Sequence, residues 1–341
     1  MFDPNHNNIT YTVGDRFHTG MTVRSLFALW LPSIRKEVSP SSYRNYERIV
    51  RRHILPELGE CEIDLLTVAD INDFLKDKMK NGRLDGKGGL SRKTVEDISW
   101  VLRSVLKLVN WDYSFVTSEH AFIKSIHEKR DTETLSDEQA SILVRYLVRN
   151  LDRSNAGFLI CLFTGIKLSE ICALKDTDFL LDTDRLQIRR TLQRVTMQEA
   201  PNGPPDQQET VEYGEADSGH RDLELPTELS MLLWTLLRGG EKDAYFLTGA
   251  PGAPLGPRTY QYRFQSVLSC CGLPLTINFH ILRHTFALLW MHRYHDMESL
   301  SRALGHASVK VTQNRYGRLL QDEKLVMQTY VKLLCASFSE S

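Results

Sequence analysis

The segment HILRHTFALLWMHRY spans residues 280–294, and LGHASVKVTQNRY spans residues 304–316. In the first segment apolar residues recur at the spacing of a buried helix, and two histidines and an arginine stand at its start. The second segment ends in Tyr316. Each residue alone has an ordinary interpretation, because a histidine or arginine on a helix usually lies at the surface and a lone tyrosine usually packs. The functional signal therefore lies in the combination of these residues and in their order along the chain.

His280 and His284 are four residues apart, which places both on one face of a helix, as in some zinc sites. The segment lacks the glutamate of a metalloprotease motif, and no clear third ligand accompanies the pair. We therefore expect no metal and no cofactor at this position.

The composition of the chain is that of an ordinary globular protein. Its 341 residues predict two domains, and 42% apolar with 25% charged residues is typical of soluble proteins. The apolar runs are too short to span a bilayer, and the N-terminus lacks the pattern of a signal peptide. Six cysteines show no metal-binding spacing, so we expect reduced thiols. These features predict a cytoplasmic protein without a membrane partner.

Helical periodicity dominates the chain outside a short stretch of alternating residues. Residues 1–21 are polar and predict a short, disordered lead-in, and residues 22–125 predict a bundle of about four helices. Residues 132–337 predict a second, mainly helical domain with strands at 185–195 and 221–225 and a long loop from 197 to about 210. The fold class is therefore mainly α with a small antiparallel β-sheet.

One predicted helix runs from Tyr43 to Leu55, where we expect Pro56 and Gly59 to stop it, and it carries clustered arginines. The net charge of the chain is −1, so any signal for nucleic acid must be local. A helix face rich in arginine is often only solvated surface, and it also suits the phosphates of DNA. Both interpretations stay open for this cluster, which consists of Arg44, Arg48, Arg51 and Arg52.

The C-terminal segments resemble the boxes of the tyrosine recombinase (phage integrase) family. That family carries HxLRH, then LGH, then a threonine four residues before a nucleophilic tyrosine. This chain has HILRH, LGH and Tyr316, with Thr312 four residues before the tyrosine. Residues 164–174, TGIKLSEICAL, resemble the first box of the family, TGxRxxE.

The N-terminal half adds to this resemblance. Ser41-Ser42-Tyr43, followed by HILP at residues 53–56, is similar to the core-binding domain of integrases from conjugative elements. The resemblance covers about residues 22–335. It implies a helical core-binding domain at 22–125 and a tyrosine recombinase catalytic domain at 132–337, which close as a clamp around DNA.

The resemblance also implies a reaction and a role for each site residue. Tyr316 attacks the scissile phosphate and forms a 3′-phosphotyrosine, which keeps the energy of the phosphodiester bond without metal or ATP. Arg283 stabilises the charged transition state, because its planar guanidinium can bind two oxygens at once. His280 and His306 transfer protons or bind the phosphate. Lys167 occupies the position of the first-box arginine. His284 and Glu170 do not contact the phosphate but hold the residues that do.

Two positions depart from the pattern of the family. Lys167 stands where the first box has an arginine, so it keeps the charge but loses the bidentate fork. Aligning SGHRDLELP, residues 218–226, with the family's strand places the lysine that protonates the leaving hydroxyl at Glu215. General acid catalysis contributes roughly 10²–10⁴ in rate. Both departures predict slower cleavage.

The resemblance implies partners as well. These are double-stranded DNA at the attachment sites of a mobile element, further copies of the chain in a homotetramer, and accessory excision or bending proteins. The segment Leu319 to Phe338 has the apolar stripe of a helix that packs on a neighbouring protomer or within its own chain. DNA contacts are expected from the arginine cluster, with Lys93 and Arg103 in addition, so the protein would be nucleoid-associated when bound.

Two functions from different classes follow. In the first, the chain is a working integrase or excisionase-dependent recombinase with a variant site, as the intact HILRH, LGH and Tyr316 favour. In the second, it is an integrase-derived DNA-binding protein that has lost most cleavage activity, as Lys167 and Glu215 favour. A helical enzyme of another family is a third alternative.

Overall fold

The computed structural model describes residues 20–38, 40–109, 134–196, 208–213, 219–241 and 243–317. Three predictions fall outside these residues: the lead-in up to residue 19, the position of Glu215, and the last helix from Leu319 to Phe338. The chain divides into two compact units, with the boundary between Lys129 and Arg130.

The first unit is built from helices whose starts are marked by capping side chains. Thr22, Thr67 and Ser91 each accept a hydrogen bond from a backbone N–H three residues on, which satisfies a donor that the helix cannot pair internally. The starts predicted at Thr67 and Ser91 are confirmed. The helices are α1 (Val23–Ile34), α2 (Pro40–Ile49), α3 (Leu55–Leu58), α4 (Val68–Asn81) and α5 (Arg92–Leu106).

The end predicted at Pro56 and Gly59 is wrong for Pro56, because the chain stays helical from α2 through α3, and is confirmed for Gly59, which caps α3. The two helices are joined by a π-helical turn at Val50–Ile54, in which the N–H of Leu55 reaches the carbonyl of Val50. A proline ring normally collides with the carbonyl four residues before it. Pro56 instead lies just after the π-helical turn, at the first positions of α3.

Helix α5 places its apolar stripe in the core of this unit. Val95, Ile98, Val101 and Val105 have no exposed surface, and they pack with residues of α1, α2 and α4. Burial of a side chain of this size stabilises the fold by about 1.5–3 kcal/mol. The stripe predicted from the 3–4 residue spacing is therefore confirmed.

The second unit holds its helices around a buried apolar segment. Residues 156–163 are at most 4% exposed, as predicted from their continuous apolar sequence. Ser136 and Gln139 form the predicted capping box at the start of the unit. The helices are α6 (Asp137–Arg149), α7 (Arg153–Thr164), α8 (Leu168–Ile171), α9 (Thr227–Leu237), α10 (Pro257–Cys270), α11 (His280–Tyr294), α12 (Met297–Leu304) and α13 (Val309–Tyr316).

Short antiparallel strands complete the second unit. β1 (Phe179–Leu180), β2 (Arg185–Ile188) and β5 (Arg221–Glu224) form a sheet in the order β1-β2-β5, with Ile188 opposite Arg221. β3 (Thr191–Thr196) pairs with β4 (Gln208–Tyr213), and β6 (Ala244–Tyr245) pairs with β7 (Ala250–Pro251). The mainly α fold class with antiparallel β-structure is confirmed, although the strands form separate small sheets.

The loop predicted from 197 to about 210 is wrong at its end, because Gln208–Tyr213 forms strand β4, and residues 197–207 lie outside the described residues. The sequence QETVEY alternates polar with apolar residues over too few positions to separate it from the surrounding loop. Its pairing with β3 is a contact across the hairpin, which local periodicity does not record.

No helix in the described ranges is both long enough and apolar enough to cross a membrane.

Candidate active site

Arg283 occupies the first turn of α11 and is 5% exposed. Its Nη1 donates to the carbonyl of Gly165 at 2.6 Å, and its Nη2 donates to the carbonyl of Leu304 at 2.7 Å. These carbonyls end α7 and α12, where the last oxygens of a helix lack intrahelical donors and carry partial negative charge. One guanidinium therefore joins the ends of two helices and is held in one orientation.

Two glycines in the left-handed conformation shape this junction. Gly165 ends α7 at φ 66° and Gly305 ends α12 at φ 62°. A Cβ on Gly165 would collide with the ring of Phe286, so both the backbone angle and the space require glycine there. Gly305 turns the chain so that His306 follows directly on the end of α12.

The ring of His306 is held at both nitrogens. Nε2 lies 3.1 Å from Nη2 of Arg283, and Nδ1 lies 2.8 Å from Oγ1 of Thr312. A guanidinium has only donors, so Nε2 must accept and the proton must be on Nδ1. Burial, followed by the charges of Arg283 and Arg315, lowers the pKa of His306 to about 3. The imidazole is therefore neutral near pH 7.

Tyr316 is the last residue of α13 and has no exposed surface. Its hydroxyl lies 2.9 Å from Nδ1 of His284, and its ring is nearly parallel to that of His306 at a centroid distance of 6.4 Å. Burial raises the pKa of the Tyr316 phenol, and this rise exceeds the opposing effects of Arg283 and Arg315. The phenol is therefore protonated near pH 7.

His284 contacts the phenol directly, which is closer to the chemistry than its predicted supporting position. Burial, followed by the charge of Arg315, lowers the pKa of His284 to about 4. A neutral imidazole next to a protonated phenol can accept its hydrogen through Nδ1. His284 is therefore placed to orient the phenol oxygen.

His280 starts α11, and its backbone N–H is capped by Oδ1 of Asn278 at 2.9 Å. Its side chain is exposed at the surface of the unit. Partial desolvation and the charges of Arg283 and Arg315 lower the pKa of His280. The structure thus places this residue at the exposed rim of the cluster.

Glu170 and Arg221 form a buried ion pair behind the cluster. Nη1 and Nη2 of Arg221 donate to the two carboxylate oxygens of Glu170 at 3.0 and 2.7 Å, and Nε donates to the carbonyl of Ala303 at 2.9 Å. Burial alone would raise the pKa of Glu170, but the bonds from Arg221 outweigh it and the pKa is lowered. The pair ties α8 and β5 to the end of α12.

Lys167 precedes α8, and its backbone N–H donates to Glu170 at 2.8 Å. Its Nζ lies 4.0 Å from the nearer oxygen of Glu170, and 31% of its side chain is exposed. Its charge adds to burial and to the charges of Arg283 and Arg315 in lowering the pKa of His306. The lysine therefore supplies positive charge without the fork of a guanidinium.

Sequence reasoning missed Arg221 and Arg315 as site residues. Arg221 lies on a strand 51 residues after Glu170, and the one available signal was an arginine within an otherwise alternating strand. Arg315 stands directly before Tyr316, where a single charged residue resembles ordinary helix surface.

Within the described ranges, no group of three or more His, Cys, Asp or Glu side chains has the arrangement of a metal site.

The residues predicted to bind DNA lie on helices of the first unit. Arg48 bonds Asn45 at 2.7 Å, Arg51 pairs with Glu47 at 3.0 Å, and Lys93 pairs with Asp97 at 2.7 Å. The side chains of Arg51 and Lys93 are each 64% exposed in these pairs, and ion pairs with an exposed partner contribute little to stability. Arg44 and Arg103 are half-buried, whereas the exposed members are Arg48, Arg51, Arg52 and Lys93.

Family models match both units of the chain. Residues 22–79 match the phage integrase N-terminal SAM-like domain, and residues 133–323 match the phage integrase family. The second match alone covers more than half of the chain.

Full-length relatives are similar over most of their length. A XerC-like tyrosine recombinase of Caldanaerobacter subterraneus is 23% identical, over 92% of this chain and 81% of the relative. A tyrosine recombinase XerC of Bacillus licheniformis is 26% identical, over 80% of this chain and 82% of the relative. The ICEBs1 integrase of Bacillus subtilis is 22% identical, over 89% and 80%.

Solved structures share the fold. The Tn1549 transposon integrase in complex with transposon right end DNA has a TM-score of 0.63 at 20% identity, covering 91% of this chain and 97% of that one. A lambda integrase dimer bound to a core site has a TM-score of 0.57 at 16% identity, covering 91% and 81%. With both units matched by the family models, this chain belongs to the phage integrase family of tyrosine recombinases.

Proposed function

We propose that the protein is a site-specific DNA recombinase that cuts and rejoins DNA through Tyr316, for the integration or excision of a mobile element. The observation that carries the proposal is the convergence of the phenol of Tyr316, the guanidinium of Arg283 and two neutral imidazoles within one set of hydrogen bonds. Arg283 and Arg315 both act on the phenol by charge and hydrogen bonding, which suits a hydroxyl that has to meet a phosphate.

In the proposed reaction the phenol oxygen of Tyr316 forms a bond to phosphorus while the bond to the 5′-oxygen breaks. The phenol proton leaves toward Nδ1 of His284, and one proton passed on through water ends on the departing 5′-oxygen, which becomes a hydroxyl, so that no proton is gained or lost overall. The product is a 3′-phosphotyrosine that a second 5′-hydroxyl attacks in reverse, which rejoins the DNA. No net hydrolysis occurs, so no energy source is needed.

Arg283 stabilises the transition state because its charge is already positioned. Two carbonyls hold its guanidinium before DNA arrives, so little reorganisation is required when negative charge develops. His306 turns its Nε2 to the same guanidinium, and His280 stands at the exposed rim. We assign both histidines to phosphate binding and proton transfer, with Lys167 as a further cation and Glu170 as its support.

The partner we propose is duplex DNA at the attachment sites of the element. Among the solved structures that share this fold, the Tn1549 integrase is in complex with transposon right end DNA, a lambda integrase dimer is bound to a core site, and XerH is bound to its difH substrate. We propose residues 22–125 as the core-binding domain, 132–337 as the catalytic domain, and a homotetramer on two sites at the nucleoid. Accessory excision or bending proteins are the remaining proposed partners.

Salt dependence tests the DNA-binding face. Replacing Arg51 and Arg52 with alanine should reduce the slope of log affinity against log salt by about one for each phosphate that the side chains no longer neutralise. Lys76→Ala is the control, because Lys76 is exposed on α4 and pairs with Asp73. An unchanged slope in the double variant would show that this face does not bind DNA.

A second function is favoured by Lys167, the position at which a family arginine is replaced. In this alternative the protein binds its DNA sites and cuts them very slowly or not at all. Covalent trapping separates the two: nicked duplexes from the ends of the element are incubated with the protein and run on a denaturing gel. A shifted band that is absent with Tyr316→Phe supports the recombinase. Binding without a band supports the alternative.

A further inference from the structure

Helix α13 directs its polar face toward the cluster through two hydrogen bonds. Thr312 bonds His306 at 2.8 Å, and Tyr316, four residues on, bonds His284 at 2.9 Å. Residues three and four apart share one face of a helix. Arg315 follows Thr312 by three residues, so it lies on the face that meets the cluster, and its side chain is exposed.

The charge of Arg315 acts on every titratable ring of the cluster. It lowers the pKa of His280, His284 and His306, and it acts on the phenol of Tyr316 by charge and hydrogen bonding. Lys310 is also exposed on α13, but it is two residues before Thr312 and therefore on the opposite face. Helix α13 thus places Arg315 on the face that meets the cluster and Lys310 on the opposite face.

Two further guanidiniums of the site, those of Arg221 and Arg283, hold contacts within the protein. Arg221 places Nη1 and Nη2 on Glu170 and its Nε on the carbonyl of Ala303. Arg283 is held by the carbonyls of Gly165 and Leu304. Lys167 offers an ammonium where a planar fork would match a phosphate better. A phosphate at this site would therefore benefit from a further guanidinium.

We propose that Arg315 binds a non-bridging oxygen of the scissile phosphate and supplies at the site the guanidinium that Lys167 lacks. The inference rests on the proposed function, since it names a phosphate-binding residue of that reaction. Arg315 stands next to the nucleophile, so its guanidinium reaches the phosphate only when Tyr316 does. Arg315 thereby neutralises the negative charge that develops on the phosphate at the moment when Tyr316 is in position to attack.

The first test compares single-turnover adduct formation by wild type, Arg315→Ala, Arg315→Lys and Lys310→Ala. Arg315→Ala should lose on the order of 10²-fold, Arg315→Lys should lose less, and Lys310→Ala should match wild type. The same series is run on DNA with a neutral methylphosphonate at the scissile position. There the loss from Arg315→Ala should shrink at least about 10-fold, because less charge needs to be neutralised. An equal loss on both substrates would overturn the proposal and indicate a structural role.

A second test does not depend on cleavage. Inorganic phosphate is titrated into the full chain while NMR follows the imidazole nitrogens of His284 and His306. Arg315→Ala should weaken phosphate binding by about 10-fold, as expected for one charge-assisted hydrogen bond, and Lys310→Ala should not. Equal affinity in all three proteins, or no shift in wild type, would contradict the proposal. If wild type forms no DNA adduct, the recombinase function fails while this titration still decides the role of Arg315.

Discussion

Nη2 of Arg283 lies 3.1 Å from Nε2 of His306, and this contact determines where the imidazole carries its proton. Arginine cannot accept a hydrogen bond, so Nε2 is unprotonated and Nδ1–H donates to Thr312. The site thus holds a permanently charged donor beside a neutral ring. A second positive charge on His306 would be repelled, which is why proximity to Arg283 adds to burial in lowering its pKa.

The first prediction concerns the protonation of His306. Its pKa of about 3 means that the neutral form persists at every pH above that value, so the ring should stay neutral from pH 8 down to pH 5. NMR of the imidazole nitrogens should show Nδ1 protonated and Nε2 bare throughout this range. A His306 signal that titrates near pH 6.5 would show that Arg283 does not hold the ring as described.

The second prediction concerns how the stability of the folded chain depends on pH, and it follows from the lowered pKa values of two histidines. His284 and His306 have lower pKa values in the folded chain than the ordinary value of 6.5. The unfolded chain therefore binds protons first as the pH falls, and stability should decrease from about pH 6.5 toward pH 4. Urea unfolding at pH 7 and pH 5 measures this, with the midpoint lower at pH 5. His284→Gln should make the decrease smaller, and an unchanged decrease would argue against its contribution.

The third prediction concerns the buried pair of Glu170 and Arg221. Glu170 is 1% exposed, so Glu170→Ala leaves the guanidinium of Arg221 without its carboxylate in a buried position. Loss of one partner of such a pair costs about 3–5 kcal/mol in the free energy of unfolding. Glu298→Ala is the control, because Glu298 pairs with Arg302 at 3.9 Å on the surface of the same unit. Similar denaturation midpoints for both variants would show that the buried pair is not structural.

The fourth prediction concerns Lys167. Restoring a guanidinium with Lys167→Arg should raise the single-turnover rate of cleavage roughly 10-fold, which is part of the 10²–10³ that one transition-state donor is worth. Lys175→Arg is the matched control, since Lys175 lies against the ring of Tyr245 and outside the cluster. A slower Lys167→Arg enzyme would mean that the site has adapted to lysine. Cleavage seen only with Lys167→Arg would favour the DNA-binding alternative.

Much of the fold could be predicted because its signals are local. Thr67, Ser91 and Ser136 each mark a helix start through a side chain that bonds a backbone N–H three residues away. The apolar stripe of α5 follows from the helical repeat alone. By contrast, β4 and the π-helical turn before Leu55 depend on pairing and packing that neighbouring residues do not encode.

Residues of the candidate site could be predicted from the sequence only where several of them lie within one short motif. His280, Arg283 and His284 share one helix turn, and His306 and Tyr316 follow within one segment. The carbonyl of Gly165 and the side chain of Arg221 reach the cluster across 118 and 51 residues, so no local spacing shows them. The contact between His284 and Tyr316 likewise depends on how α11 packs against α13.

The most direct test of the proposed recombinase function is to identify the residue and the DNA end joined in the covalent adduct. Nicked duplexes labelled at either end of the cleaved strand are trapped with wild type and with Tyr316→Phe, and the adduct is digested and sequenced by mass spectrometry. We predict that the 5′-labelled strand stays on the protein, that the modified peptide contains Tyr316, and that Tyr316→Phe binds DNA without forming an adduct. An adduct on another residue, a retained 3′-labelled strand, or DNA binding without any adduct in wild type would contradict this function.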